Sequence, residues 1–540
     1  MALGMAAGRR SVRVTTLLGL DLGTTGARAV LADTSGAVRF SREVAYPLRT
    51  PHPGWAEQDP DGWEHAAFDA LASAAAAAPD RSGIAAIGLT GQMHGATLLD
   101  ARDRPVRPAI IWCDQRTAPQ RRAMEAQIGL PEIIARTGNP PLEGFTAPKL
   151  LWVRDHEPAV HARIRRLLLP KDFIRLRLTG AALTDVADAS GTGLFDVRRR
   201  TWSEAMLRDL DLPRTWLADV VESPAVAGRL TADAARRLDL PPGTPVAAGA
   251  GDQAAGAVAA GIVAPGDAVV TIGSSGVVFA ATAAPQIDPA GRVHTFCHAV
   301  PAMWEVMGVT QGAGLSLRWF RDTLAGDVRA DVAQRGLDPY ELLTREAATA
   351  PPGSRGLVWL PYLQGERTPH LDASARGVLF GLTTAHARSD VVRAIMEGVA
   401  CSLRDCLQII RGLGIRSDAV KIAGGGARSP VWRQIVADVL DVALVIVAEG
   451  RGPAFGAALL AGVAGGVWGS VPEACAACRL EGERLDPIAA HRRRYDDLYG
   501  VYRDLYPALQ PLFGRVAAPQ APLEAREARD PPGAPSPWHP

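Results

Sequence analysis

Two stretches of this chain, 250 residues apart, share one plan. In the first, the apolar strand Leu17–Leu22 runs into Gly23-Thr24-Thr25-Gly26 and returns as Ala27–Ala32. In the second, Ala268–Ile272 runs into Gly273-Ser274-Ser275-Gly276 and returns as Val277–Ala281. A strand, a tight turn rich in hydroxyls and a second strand, written twice at this distance, predict two domains of similar plan. Short apolar strands alternate with helical stretches between and beyond them, the pattern of an α/β protein. Asp33-Thr-Ser-Gly36 turns the first hairpin into a third strand, Ala37–Val44, making a β-meander. A helix over Pro60–Ala78 and strands over Ile84–Leu89 and Ala96–Leu99 follow. The crossover between domains is expected near residues 245–262, and 540 residues leave room for two large cores.

Composition removes several classes of function. With 58 basic and 57 acidic side chains the formal net charge is +1, so no overall field draws a nucleic acid. No run approaches the roughly 18 apolar residues that span a bilayer. Arg9 and Arg10 precede the apolar Val14–Leu20, but Asp21 ends that run and no cleavage site follows, which excludes a signal peptide. The six cysteines form no framework; Cys475 and Cys478 lie in an Ala-rich helical stretch with no second pair to complete a zinc site. A cytoplasmic, reducing compartment is therefore expected. Residues 1–15 read as an extension. The segment 514–540, with seven prolines between Pro519 and Pro540, reads as a disordered tail.

A third glycine-rich turn, Gly424-Gly425-Gly426-Ala-Arg-Ser429, follows the strand Ala419–Ala423. Ser429 is suited to cap a helix whose first residue is Pro430. Glycine turns let backbone amides approach a phosphate, and Thr or Ser hydroxyls add uncharged donors. The ordinary P-loop is ruled out, because none of the three lysines (Lys149, Lys171, Lys421) follows a glycine. Gly249-Ala-Gly251-Asp252-Gln253-Ala254 matches GxGxxA, yet Asp252 would repel a pyrophosphate there. The same aspartate is suited to accept a proton from a substrate hydroxyl during phosphoryl transfer. Asp21, at the start of the Gly-Thr-Thr turn, is placed to hold Mg²⁺ through water.

Leu20-Asp-Leu-Gly-Thr-Thr25, Gly249-Ala-Gly-Asp-Gln253, Gly273-Ser-Ser-Gly276 and Gly424-Gly-Gly-Ala-Arg-Ser429 together resemble the FGGY family of carbohydrate kinases, within the actin-like, ribonuclease-H-like ATPases. Gly91-Gln-Met-His-Gly95, Phe145-Thr-Ala-Pro-Lys149, Leu169-Pro-Lys-Asp172 and Leu360–His370 resemble most closely the branch acting on D-xylulose. The resemblance implies two ribonuclease-H-like domains, 16–258 and 259–513, flanking a deep catalytic cleft. It implies ATP and Mg²⁺ as cofactors, a small sugar as partner and a homodimer, with neither nucleic acid nor membrane. Asp252 would act as base on the O5 hydroxyl, with an ordinary carboxylate pKa sufficing, and Asp21 would hold the metal. Met93, His94 and Gln253 would line the sugar site, although several relatives carry asparagine in place of Gln253. Gly23, Thr24 and Thr25 would face the γ-phosphate. Gly273, Ser274 and Ser275 would meet the phosphates from the second domain, and Gly424, Gly425 and Ser429 would border the adenosine. Rival expectations are another member of the family acting on a different ketose, polyol or sugar acid, or an actin-like ATPase without a sugar.

Overall fold

The computed structural model describes residues 15–328, 338–448, 450–480 and 482–517. Residues 1–14 and 518–540 lie outside it, so the expectations of an N-terminal extension and of a disordered C-terminal segment concern residues largely beyond those described. The last helix, Arg492–Ala517, runs past residue 513 into the segment expected to be tail.

Two seven-stranded sheets form the frame. In the first, Thr16–Leu22, Gly26–Asp33 and Val38–Ala45 make the antiparallel meander. Ile84–Gly91 then lies parallel to Thr16–Leu22, and Pro245–Ala247 lies parallel to Ile84–Gly91. The second sheet repeats this. Ala268–Ile272, Gly276–Thr282 and Trp304–Thr310 are antiparallel, and Ala419–Ala423 and then Ala443–Ile446 add in parallel on the other side of Ala268–Ile272. Both sheets share a core of three antiparallel and two parallel strands in the same spatial order, with one further strand beyond the fifth (Val226–Arg229 and Arg484–Leu485). The first sheet adds Ala250–Gly251 beside Ile84–Gly91, and the second adds His294–Cys297 on its far edge beside Trp304–Thr310. The echo of the two turns thus extends to the five-strand core of each sheet. Strand Thr97–Leu99 forms within the expected stretch, but it pairs with Arg166–Leu168 outside the central sheet.

Side-chain alternation explains how the first sheet is covered. Leu18, Leu20 and Leu22 join Trp63, Phe68 and Leu71 of helix Pro60–Ala76, which Asp59 caps through the Asp61 amide at 3.1 Å. Leu17 and Gly19 face the opposite way, toward helix Pro453–Ala464, which follows strand Ala443–Ile446 of the second sheet in sequence. A β-carbon on Gly19 would fall 1.9 Å from the Ala454 carbonyl oxygen, and one on Gly88 1.8 Å from that of Ala457. Glycine therefore sets the depth at which the helix seats. The same helix crosses Asp252–Ala259, where a β-carbon on Gly456 would meet the Ala255 oxygen at 1.9 Å. These two helices, one from each half of the chain, form the junction between the sheets. Among the described residues, no helix is long and apolar enough to cross a membrane.

Candidate active site

The first sheet brings the two aspartates to one edge. Asp21 pairs with Thr90 on one side of strand Ile84–Gly91, and Ala250 pairs with Thr90 on the other. Asp252 begins the helix Asp252–Ala259 directly after the short strand Ala250–Gly251. Asp21 and Ala250 thus sit on strands that flank a common neighbour, about 10 Å apart at the backbone, with Asp252 two residues beyond Ala250. The charges of Asp21 and Asp252 interact. Burial, and then the charge of Asp252, push Asp21 up to about 7. Asp252 is pushed up to about 6 by burial, against the opposing pull of the Gln253 backbone and side-chain amides. The expectation of an ordinary pKa for Asp252 is therefore corrected: sequence neighbours held no hint of the desolvation. The amide of Gln253 lies against this carboxylate. One buried oxygen of Asp21, Oδ1, has no hydrogen-bond partner, and an unpartnered hard carboxylate oxygen suits Mg²⁺.

The glycines of the GxGxxA match serve packing. Gly249 has φ +80°, and a β-carbon there would strike the Leu89 oxygen at 1.9 Å; Gly251 lies under the Met93 thioether. Met93 is thereby pressed against the residue preceding Asp252.

Buried side chains hold the first hydroxyl turn from behind. The Gly23 carbonyl accepts from the Tyr46 hydroxyl and from Gln92 Nε2 at 3.3 Å, and the Thr24 carbonyl from Gln58 Nε2 at 2.6 Å. Gln58 is fixed in turn by Trp63 Nε1 at 3.0 Å and Gln92 Nε2 at 2.7 Å. Trp112 Nε1 donates to Thr24 Oγ1 at 2.9 Å, which leaves the threonine proton free to point outward. Thr25 is exposed.

In the second domain, helix Ala313–Thr323 donates the amides of Gly314 and Leu315 to the carbonyls of Gly273 (2.8 Å) and Ser274 (3.1 Å). The Ser274 side chain is exposed and that of Ser275 half-buried. Gly424, at φ +91°, sits against the backbone of Ile272, so the third turn abuts the second. Ser429 accepts from the Trp432 amide at 3.3 Å and caps helix Pro430–Leu440, as its sequence predicts.

His94 has φ +67°, and its carbonyl is held by Lys149 Nζ at 2.8 Å and Thr146 Oγ1 at 3.1 Å. Its Nδ1 lies 2.6 Å from the Gly191 carbonyl, and its ring stacks on Phe145 at 4.6 Å. Burial, then the Lys149 charge, hold the imidazole well below its ordinary pKa, so it is neutral. A carbonyl only accepts, so Nδ1 carries the proton and Nε2 is left as an acceptor for a hydroxyl.

Behind this wall is a buried charge cluster. Lys171 Nζ lies 2.5, 2.6 and 3.2 Å from Asp172, Asp185 and Asp188, and Arg175 lies 2.9 Å from Asp172. Burial opposes the Lys171 charge, but the three carboxylates outweigh it and keep the ammonium protonated. Arg175 Nη1 donates to the Ala248 carbonyl at 2.7 Å. Ser223 donates to Asp185 at 3.0 Å and accepts the Gly249 amide on its carbonyl at 2.9 Å. The cluster thus braces the strand end that presents Asp252. Sequence reasoning did not single out this brace, nor Trp112, Gln58 and Tyr46; two of only three lysines falling in quoted motifs (Lys149 and Lys171) was the available signal.

Two sheets built on one plan, each with a hydroxyl-bearing turn between its first two strands, define an actin-like, two-domain α/β fold. Models of the FGGY family of carbohydrate kinases match residues 16–259 (N-terminal domain) and 268–465 (C-terminal domain), and the chain belongs to that family. It is 39% identical over 497 residues to a xylulose kinase of Escherichia coli, covering 92% of this chain and 99% of that one. A xylulose kinase of Klebsiella pneumoniae is 41% identical, covering 83% and 89%. The crystal structure of xylulose kinase from Rhodospirillum rubrum superposes with a TM-score of 0.84 at 33% identity, covering 92% of this chain and all of that one. This protein is an ATP-dependent sugar kinase.

Proposed function

We propose that the chain transfers the γ-phosphoryl group of ATP to O5 of D-xylulose, with Asp252 as general base. The observation that supports this most is that Met93, adjacent to His94, packs on Gly251, the residue before Asp252, on a strand separated by one neighbour from that of Asp21. In this reading the O5 proton passes to the Asp252 carboxylate as O5 bonds to phosphorus and ADP departs. His94 Nε2 accepts from another sugar hydroxyl, and Met93 supplies an apolar wall. Thr24 and Thr25 from one domain, and Ser274 and Ser275 from the other, donate to the phosphates, while the Gly424–Ser429 turn borders the adenosine. Mg²⁺ would be held by Asp21 and would neutralise phosphate charge when bound. Because the transition state is loose, orientation and exclusion of water do most of the work, which is why the Thr24 turn is braced so heavily. The six free cysteines fit a reducing cytoplasm.

The test is ADP release coupled to a spectrophotometric readout, with D-xylulose beside its stereoisomers, pentitols and aldonates. Phosphorylation of D-xylulose at a kcat/KM at least tenfold above every other sugar is expected. A higher value for an aldonate or polyol would overturn the substrate, and sugar-independent hydrolysis alone would overturn the kinase reading.

A further inference from the structure

Arg367 lies in the second domain but reaches the sugar wall of the first. Its Nη2 is 3.8 Å from the point a β-carbon on Gly144 would occupy, and Gly144 is followed by Phe145, on which His94 stacks. The Arg367 charge is felt by both His94 and His294. Among the described residues its guanidinium makes no ion pair and no side-chain hydrogen bond; only its backbone amide is engaged, by Glu366 at 2.7 Å. Glu366 is occupied elsewhere, by Thr310 Oγ1 at 2.6 Å and the Gln311 amide at 2.9 Å. Burial lowers the pKa of Arg367 against the opposing charges of Glu143 and Glu366, and since neither carboxylate bonds to the guanidinium, its buried donors are left for a ligand to satisfy.

A second orphan stands beside it. His294 is 3% exposed, yet its Nδ1 has no partner. Its ring lies 5.7 Å from Phe145 and stacks on Phe296 at 5.6 Å, while Phe296 is 6.3 Å from His94. Strand His294–Cys297 is fastened to the first domain by Asn139, which exchanges hydrogen bonds with Thr295 at 2.8 and 3.0 Å, and by Ser190, which accepts from the Cys297 amide at 3.0 Å. His294 is therefore a fixed part of the sugar wall although its strand belongs to the second sheet.

We propose that Arg367 and His294 form a second-domain half of the sugar site that binds the carbonyl end of a ketose. The inference rests on the kinase reading above. Contacts run in order from Asp252 through Gly251 and Met93 to His94, then Phe145, Gly144 and Arg367. A sugar whose reacting hydroxyl meets Asp252 extends its other end toward Arg367. Guanidinium has five donors and no acceptor, which matches a ketone oxygen and its adjacent hydroxyl oxygen. The contact joins sugar recognition to the domain carrying the second phosphate turn.

The test compares the full-length enzyme with Arg367→Met and Arg367→Lys, using D-xylulose and a pentitol in which C2 is reduced. For Arg367→Met, KM for D-xylulose is expected to rise roughly 10- to 100-fold, as for loss of a charged hydrogen bond, while KM for ATP changes less than twofold. Arg367→Lys should fall between, and the preference for ketose over pentitol should shrink. An unchanged sugar KM, equal losses on ketose and pentitol, or a loss confined to kcat would each overturn the proposal. Should Arg367→Met not fold, Arg367→Lys decides alone, with a several-fold rise in sugar KM expected. Wild-type enzyme preferring another ketose would overturn the substrate proposed above and not Arg367, whose KM split is then read on that ketose. Wild-type enzyme inert toward every ketose would overturn both.

Discussion

Replacing Asp252 with asparagine should inactivate the enzyme and stabilise it at the same time. Burial lifts the carboxyl from 3.8 to about 6, so the folded protein holds an ionised Asp252 less willingly than the unfolded chain does. A group whose folded pKa is raised contributes its full stability below pH 4 and loses it as pH climbs through 6. At pH 7.5 the ionised carboxylate costs about 2–3 kcal/mol relative to a neutral side chain of the same shape. Asparagine has that shape and no charge. Urea unfolding of wild type and Asp252→Asn at several pH values between 4 and 8 should show no difference at pH 4. A gap favouring the variant should open by pH 6 and widen further through 7, where the variant's Asp21, freed of the neighbouring charge, ionises more readily. Turnover of D-xylulose should fall at least ~100-fold, with the general base lost. A gap independent of pH, or a less stable variant at pH 7.5, would refute the claim that desolvation dominates this site. Near-normal turnover would refute the role of base.

The pH profile of wild-type kcat/KM should fall about tenfold per unit below pH 6, where Asp252 is protonated; a profile flat down to pH 5 would count against the assignment. Lys171→Met leaves Asp172, Asp185 and Asp188 with Arg175 as the remaining cation of the cluster, and should cost about 3–5 kcal/mol in denaturant unfolding, more than any exposed arginine removed as a control. Trp112→Phe removes the donor to Thr24 while keeping the ring; kcat should drop several-fold, as for loss of about 1 kcal/mol, with KM for sugar little changed.

The hairpins were legible in the sequence because their pairing is local: Leu17–Leu22 needs only Gly23–Gly26 to meet Ala27–Ala32. Ser429 as a cap was legible for the same reason. The site's assembly was not. Pro245–Ala247 reaches Ile84–Gly91 across some 150 residues, and only that parallel pairing sets Asp252 beside Asp21. The pKa of Asp252 and the brace on Lys171 depend on burial, which no stretch of neighbouring residues encodes. Arg367 escaped notice because an arginine without a partner is recognised by what surrounds it, and its surroundings come from both domains.

The helix Pro453–Ala464 carries a consequence for synthesis. The first sheet, finished in sequence by Gly251, stays bare on one face until a segment some 200 residues later leaves the ribosome and slots over Gly19 and Gly88. The N-terminal half alone should then be a sticky, chaperone-dependent fragment, and its native state is reached only once nearly the whole polypeptide has been made.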